Sequence, residues 1–450
     1  MLVQFTVKNF LSFKEESSLN LLATADAKHQ LHLISNKKKK PILRTAAVYG
    51  ANGSGKSNLV KAMAFAKNLI VDGTRPDQRI PVTPFKLNEE SRKSPSIFEF
   101  VINYQDTIYT YGFVVNESEV KEEWLFAIRN VREVRLFERI TRSNGKARVE
   151  FGPILAKKKT KKHQFLSFIA EGTRPNELFL HELYQKNVKD ALPLINWFRE
   201  VLVIIGPESA YRDLIFDAYT NENFIQFMGI FLKNADTGID SIVTEKIEPD
   251  FDKYFPEMPE KLKNDLLNIK PNVRVMLSTP EGRRYTLMRE ENGEIVLLWL
   301  KARHKLKDGV YVDMEIKHES DGTRRLMDLL PALLHSKSEE RVYIIDEIDR
   351  SIHPLLSRMF LQAYLDDQKC GRGQIIITTH ESNLLDRELL RRDEIWFMEK
   401  DEEGSTHLYS LSEYKVRPDL KLGKGYLDGR FGAIPFLGDL EKLQYRLKER

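Results

Sequence analysis

Only one cysteine, Cys370, occurs in 450 residues. It cannot close an internal disulfide, so nothing here calls for an oxidising compartment. No apolar run approaches the roughly 18 residues of a membrane-spanning helix. The start, MLVQFTVKNFLSF, lacks a basic segment, an apolar stretch and a small-residue cleavage site, so it is expected not to be a secretion signal. Together these features point to the cytoplasm. No internal repeat and no sustained heptad array is present, which argues against a long coiled-coil machine. Charge of one sign is not in large excess either. The net charge of +4 decides neither for nor against a nucleic-acid partner.

What is present is an ordinary globular balance, 42% hydrophobic and 30% charged, enough for a sizeable core. The length suits one large α/β cassette with an inserted or appended helical part. Basic residues cluster twice, at Lys37 to Lys40 and at Lys157, Lys158, Lys159, Lys161 and Lys162 followed by His163. Such runs either neutralise phosphates or cap a solvated loop.

Hydrophobic periodicity sets out the elements. Val3, Phe5 and Val7 alternate with Gln4, Thr6 and Lys8, as in a half-buried strand. Ala46 to Tyr49 form a short buried strand that ends at Gly50, and Leu59, Met63, Ala66 and Ile70 then recur at helical spacing. Residues 97–151 predict a mostly antiparallel sheet, with a turn at Ser143-Asn144-Gly145. The pattern turns helical from Gln164 to Asn268 and returns to strands from Arg274 to Glu315. Leu326, Leu329, Leu330, Leu333 and Leu334 mark one apolar face of a helix that contains Pro331. Val342–Ile345, Ile375–Ile377 and Ile395–Phe397 are short apolar runs suited to parallel strands buried on both faces. The domain reading is 1–154 for the first part of a cassette and 155–270 for a helical insertion carrying partner or oligomer contacts. The second part of the cassette is 271–400, and 401–450 is a tail.

Four motifs carry chemistry. Gly50-Ala51-Asn52-Gly53-Ser54-Gly55-Lys56-Ser57 fits G-x-x-x-x-G-K-[ST] between a strand and a helix. Backbone N–H groups and the helix N-terminus there can cradle phosphates, Lys56 can reach the β- and γ-phosphates, and the Ser57 hydroxyl can ligate Mg²⁺. Asp346-Glu347 ends the strand from Val342. Asp346 would hold Mg²⁺ directly or through water, and Glu347 is placed to polarise an attacking water. An acid pair after a strand is common, and becomes informative only beside a phosphate loop. His380 follows Ile375-Ile376-Ile377-Thr378-Thr379 at the C-terminal end of a strand, where open α/β sheets place ligands. It is a candidate donor to the γ-phosphate. Ser320-Asp321-Gly322 opens the Leu326–Leu334 helix, with Ser320 a good N-cap at an anion-binding helix end.

This order of motifs resembles the ABC-type ATPases of the chromosome-structure and double-strand-repair group. Residues 50–58, through Asn58, resemble their phosphate loop. Ser320-Asp321-Gly322 resembles the signature motif that reaches a nucleotide on the opposite subunit, and Asp349 to His353 resembles the loop that signals across the dimer. The start, Val3 to Phe13 with Lys8-Asn9-Phe10, resembles their first strand, and Gln78 is the candidate for the glutamine loop. A narrower resemblance is to stand-alone ATPases of bacterial abortive-infection and anti-phage operons, similar to the abortive-infection L and overcoming-lysogenisation-like groups. It rests on Glu319 to Arg325, on Ile352-His353-Pro354 after the acid pair, and on the tail. The tail residues are Asp393 to Phe397, Tyr414 to Arg417, Gly425 to Leu427 and Gly429 to Pro435.

The resemblance implies an ABC-type P-loop cassette, with a parallel core and an antiparallel β lobe. It would hold ATP–Mg²⁺ through Asn52, Gly53, Ser54, Gly55, Lys56, Ser57, Asn58 and Asp346. Glu347, His380 and Lys56 would be catalytic, and Ser320 and Gly322 of a second copy would complete the site. It further implies a homodimer or larger assembly, a separately encoded effector such as a nuclease, and DNA or a phage protein as trigger. The alternative is a DNA-repair or DNA-end-binding ATPase without a coiled coil. A non-hydrolysing scaffold, a small-molecule kinase and a transporter cassette fit less well. They leave unexplained, respectively, Glu347, the Ser320 helix, and the long insert and tail.

Overall fold

The computed structural model describes residues 1–35, 40–129, 132–142, 147–271, 273–365, 372–414 and 422–434. Lys37 to Lys39, the Ser143-Asn144-Gly145 turn, Cys370, Lys415 to Arg417 and Pro435 lie outside the described residues. The chain divides into two compact units. The first comprises residues 1–207, 336–348 and 365–450, and the second 208–335 and 349–364.

Two sheets build the first unit. The parallel one has six strands, in the order Leu202–Ile205, Val342–Ile345, Gln374–Thr379, Thr45–Gly50, Ile395–Lys400, Thr406–Ser410. All neighbours run parallel except the last pair. Its inner strands are apolar on both faces, and Thr45–Gly50 is buried throughout, as expected of strands covered on both sides. The antiparallel sheet has seven strands: Ala147–Phe151, Arg132–Thr141, Val120–Arg129, Thr107–Val115, Ser96–Tyr104, Leu2–Lys8 and Ser17–Asn20. Helix Lys56–Asp72 buries Leu59, Met63, Ala66 and Ile70, the predicted face. These residues join Phe5, Phe98, Phe100, Trp197, Val48 and Ile376 in one continuous core. The fold is therefore mixed α/β, with a parallel core and an antiparallel lobe.

The tail also belongs to this unit. Tyr426 and Phe431 stack on Phe397 with ring centroids 5.7 and 5.6 Å apart, covering the strand Ile395–Lys400.

The second unit holds a five-stranded antiparallel sheet. Ile239–Ile247 and Ile295–Lys305 pair along most of their length, followed by Arg284–Arg289 and Arg274–Ser278, and Tyr311–Glu315 also joins Ile295–Lys305. An aromatic cluster of Phe251, Phe255, Tyr285 and Trp299 packs around Leu287 and Leu297. Helix Asp321–Ser338 runs through Pro331 and buries Leu326, Leu329, Leu330 and Leu333.

The region from Gln164 to Asn268 departs from the helical reading. It contains the helices Lys161–Gly172, Phe179–Gln185 and Glu222–Asn234, but also the strands Leu202–Ile205 and Ile239–Ile247. The first of these is the edge of the parallel sheet, paired with Val342–Ile345. Of the segment 155–270, residues up to 207 fall in the first unit and the remainder in the second.

Candidate functional site

The strand Thr45–Gly50 sits between Gln374–Thr379 and Ile395–Lys400, so its C-terminal end opens at the middle of the sheet edge. Two glycines make the turn that follows possible. Gly55 has φ +113°, and a Cβ there would lie 2.3 Å from Thr406 Oγ1 and 2.9 Å from Ser12 Oγ. Gly50 approaches the Met398 carbonyl so closely that a Cβ would sit 2.5 Å from it. Gly55 is the N-cap of helix Lys56–Asp72, which leaves the first-turn N–H groups directed at the loop.

Lys56 is buried. Its ammonium donates to the Gly50 carbonyl at 2.6 Å and the Ala51 carbonyl at 3.1 Å, and lies 3.4 Å from His380 Nδ1. The loop is braced from behind by two hydroxyls and an amide. Asn58 Nδ2 donates to Ser12 Oγ at 2.8 Å, and Thr406 Oγ1 lies 2.7 Å from Ser12 Oγ and 2.8 Å from the Ser54 carbonyl. Ser12 and Thr406 were not anticipated. They lie far from the loop in sequence and carry no local motif.

Asp346 and Glu347 follow the strand Val342–Ile345. Asp346 is buried and Oδ1 accepts the Thr378 hydroxyl at 2.6 Å, while that same hydroxyl accepts the Glu347 N–H at 2.8 Å. Thr378 thus ties the acid pair to the neighbouring strand. Glu347 has φ +49°, a left-handed backbone unusual for a side chain with a Cβ, so the turn after Asp346 is strained.

A cleft of about 480 Å³ is lined by Asn52 to Asn58, Glu347, His380 and Lys400. It joins the phosphate loop, the predicted base and the predicted histidine in one space of ligand size. Asp346 is adjacent in sequence but buried behind the wall. Lys400 was not predicted. It ends a strand parallel to the phosphate-loop strand, with Met398 opposite Gly50, and so emerges at the same edge. Gln78 is exposed and does not line this cleft. The Ser57 hydroxyl and Asp346 carboxylate are hard oxygen donors. They suit Mg²⁺, which takes most of its ligands from phosphates and water. No cluster of three or more His, Cys, Asp or Glu side chains fit for another metal occurs among the described residues.

Ser320 and Gly322 belong to the second unit. Ser320 Oγ accepts the Thr323 N–H at 3.1 Å, capping helix Asp321–Ser338 as expected. Glu319 is held by His304 Nε2 at 2.9 Å. A Cβ on Gly322 would lie 2.4 Å from the Ser351 carbonyl, so this glycine is required by close packing against residues that follow the acid pair. Below the cap, Asp328 accepts from Arg284 Nη1 at 2.7 Å and from the Tyr211 N–H at 3.1 Å, and burial raises its carboxyl pKa above 3.8.

The phosphate loop on a central parallel strand, an acid pair on the sheet and a histidine after a further strand define an ABC-type P-loop ATPase cassette. A family model described as "AAA domain, putative AbiEii toxin, Type IV TA system" matches residues 46–386, and the chain belongs to that family. No curated protein matches the chain. Among solved structures it is similar to the SMC head domain from Thermotoga maritima. The identity is 15% and the TM-score 0.36, covering 92% of this chain and 99% of that one. It is also similar to an SmcHead bound to the C-winged helix domain of ScpA, with 14% identity, a TM-score of 0.37 and coverage of 91% and 97%. No helix among the described residues is long and apolar enough to cross a membrane.

Proposed function

We propose that this chain binds ATP–Mg²⁺ in the cleft, pairs with a second copy around the nucleotides, and hydrolyses ATP to switch a separate effector. The observation that carries the reading is the shared cleft of the phosphate loop, Glu347 and His380. Ser57 and Asp346 would hold Mg²⁺, which spreads the charge of the β- and γ-phosphate oxygens. Lys56 and the loop N–H groups would position the phosphates, and Glu347 would orient and deprotonate the water. Most of the rate would come from positioning and charge stabilisation. Ser320 and Gly322 of the second copy would close over the γ-phosphate.

The family description, a putative toxin of a toxin–antitoxin system, supports a role in defence with a protein partner. A separately encoded nuclease is the proposed effector, with DNA or a phage protein as trigger. Residues 155–270 are the proposed region for partner or oligomer contacts.

The test is light scattering with ATP–Mg²⁺ on the parent protein and Glu347→Gln, together with phosphate release. The variant is expected to bind ATP, stop hydrolysing and accumulate as a dimer or larger assembly. Normal hydrolysis by Glu347→Gln, with no effect of Ser320→Ala on turnover, would replace this reading with a one-subunit P-loop enzyme.

A further inference from the structure

The lysine run at 157–162 lies outside the nucleotide cleft and has no part in the proposed catalysis. Lys157, Lys158, Lys159 and Lys161 are exposed. Within the run only Lys162 forms an ion pair among the described residues, with Asp190 at 2.8 Å. The run leads into helix Lys161–Gly172, capped by Thr160, whose hydroxyl accepts the His163 N–H at 3.2 Å.

The apolar face of this helix is wider than the part its packing covers. Leu166 and Ile169 are buried and fix it to the first unit. Phe165 borders that packed face and Phe168 lies further round the helix, 49% and 72% exposed. Lys161, Phe165 and Phe168 fall at i, i+4 and i+7, one exposed stripe along the helix. The helix packs against Ala147–Phe151, the edge of the seven-stranded sheet, where Phe151 meets the His163 ring edge-on at 5.4 Å. Between helix and edge strand runs a groove of about 340 Å³, lined by Arg142, Arg148, Phe151, Ser167, Ala170 and Glu171, among others. Arg148 pairs with Glu150 at 2.7 Å, and Glu171 is the one acid on the groove wall.

We propose that this surface, helix 161–172 with the lysine run before it, binds single-stranded nucleic acid. Lysines flanking two exposed rings supply what an unpaired strand requires. The cations track the phosphates, and each ring offers a face for one base. Duplex DNA presents no free base faces to such rings. A bilayer is a poorer match, because the face carrying Leu166 and Ile169 is already buried and two rings alone give little area to insert. The site is independent of the nucleotide cleft.

The experiment uses the full chain and a fluorescent 20-mer oligothymidylate, with binding followed by anisotropy across salt concentrations. Vesicles of phosphatidylserine and phosphatidylcholine are tested alongside. Substituting Lys157, Lys158, Lys159 and Lys161 with Gln is expected to make the slope of log affinity against log salt shallower by about 3, at ~0.7 per phosphate. Phe165→Ala with Phe168→Ala is expected to weaken binding at least about tenfold with the slope unchanged. All six positions are exposed, so an unchanged melting temperature confirms that the variants fold. Parental affinity in the phenylalanine variant reduces the surface to a bare polyanion attractor and overturns the proposal. So does a parent that ignores the oligonucleotide, or one whose phenylalanines matter only for the vesicles.

Discussion

Thr378 shows how much one hydroxyl can organise. It donates to Asp346 and accepts from the Glu347 N–H, so both acids depend on it for orientation. Thr378→Val keeps the shape and removes both bonds. We expect turnover to fall about 10- to 100-fold, the usual loss when a group that orients a metal ligand is removed. ATP affinity should change far less, and phosphate release with a fluorescent-nucleotide titration separates the two. Glu347 gives an opposite lesson. At φ +49° its backbone costs about 1–2 kcal/mol relative to glycine. Glu347→Gly should therefore be inactive yet more stable to denaturant than Glu347→Gln by about 1 kcal/mol, and equal stability of the two would remove the case for strain. Lys56, Glu347 and His380 were legible from sequence because each sits in a motif or at a strand end. Thr378 lay inside a recognised run but was passed over, since burial alternation does not say which hydroxyl faces a neighbouring carboxylate.

Elements were legible where a period ran long enough. Helix Lys56–Asp72 and the antiparallel lobe follow their patterns closely. Leu202–Ile205 did not declare itself, because four apolar residues between helices fit either state and only pairing with Val342–Ile345 decides. Also hidden was a polar joint between the segment near His32 and the stretch 387–394. Arg391 is fully buried, forks onto Asp393 with two bonds of 2.9 Å, and donates to the Asp26 and Lys28 carbonyls. Both Glu394 oxygens lie 3.0 Å from His32 Nδ1. Burial lifts the Glu394 carboxyl well above its ordinary 4.5, against the Arg391 N–H that it accepts. A carboxyl raised on folding holds its proton more tightly in the native state. Its stabilising contribution is thus complete below 4.5 and is lost as pH rises through the folded value. Glu394→Gln does not titrate. The melting temperature of the parent, measured against that variant, should fall as pH rises from 4.5. Parallel profiles would show that Glu394 does not titrate differently in the two states.

At the scale of the molecule, the cleft lies within the first unit alone. Nucleotide binding should therefore stabilise that unit without help from the second. At a free ATP concentration about 100 times Kd the gain is about 2.7 kcal/mol, measurable by denaturant titration with and without ATP–Mg²⁺. Lys56→Ala should abolish most of it, and chelation of Mg²⁺ should reduce it. A full gain in Lys56→Ala would mean that ATP binds elsewhere.

Both sheet neighbours of the strand that bears the phosphate loop follow it by more than 300 residues. Its partner on one side is Gln374–Thr379 and on the other Ile395–Lys400. At ~5–20 residues per second a ribosome needs roughly 20–70 s between Gly50 and Met398. Until Gln374–Thr379 has been made, the loop-bearing strand has neither of its sheet neighbours. A chain ending before Gln374 lacks both sheet neighbours of the loop-bearing strand, and we expect it to bind ATP–Mg²⁺ no better than Lys56→Ala does.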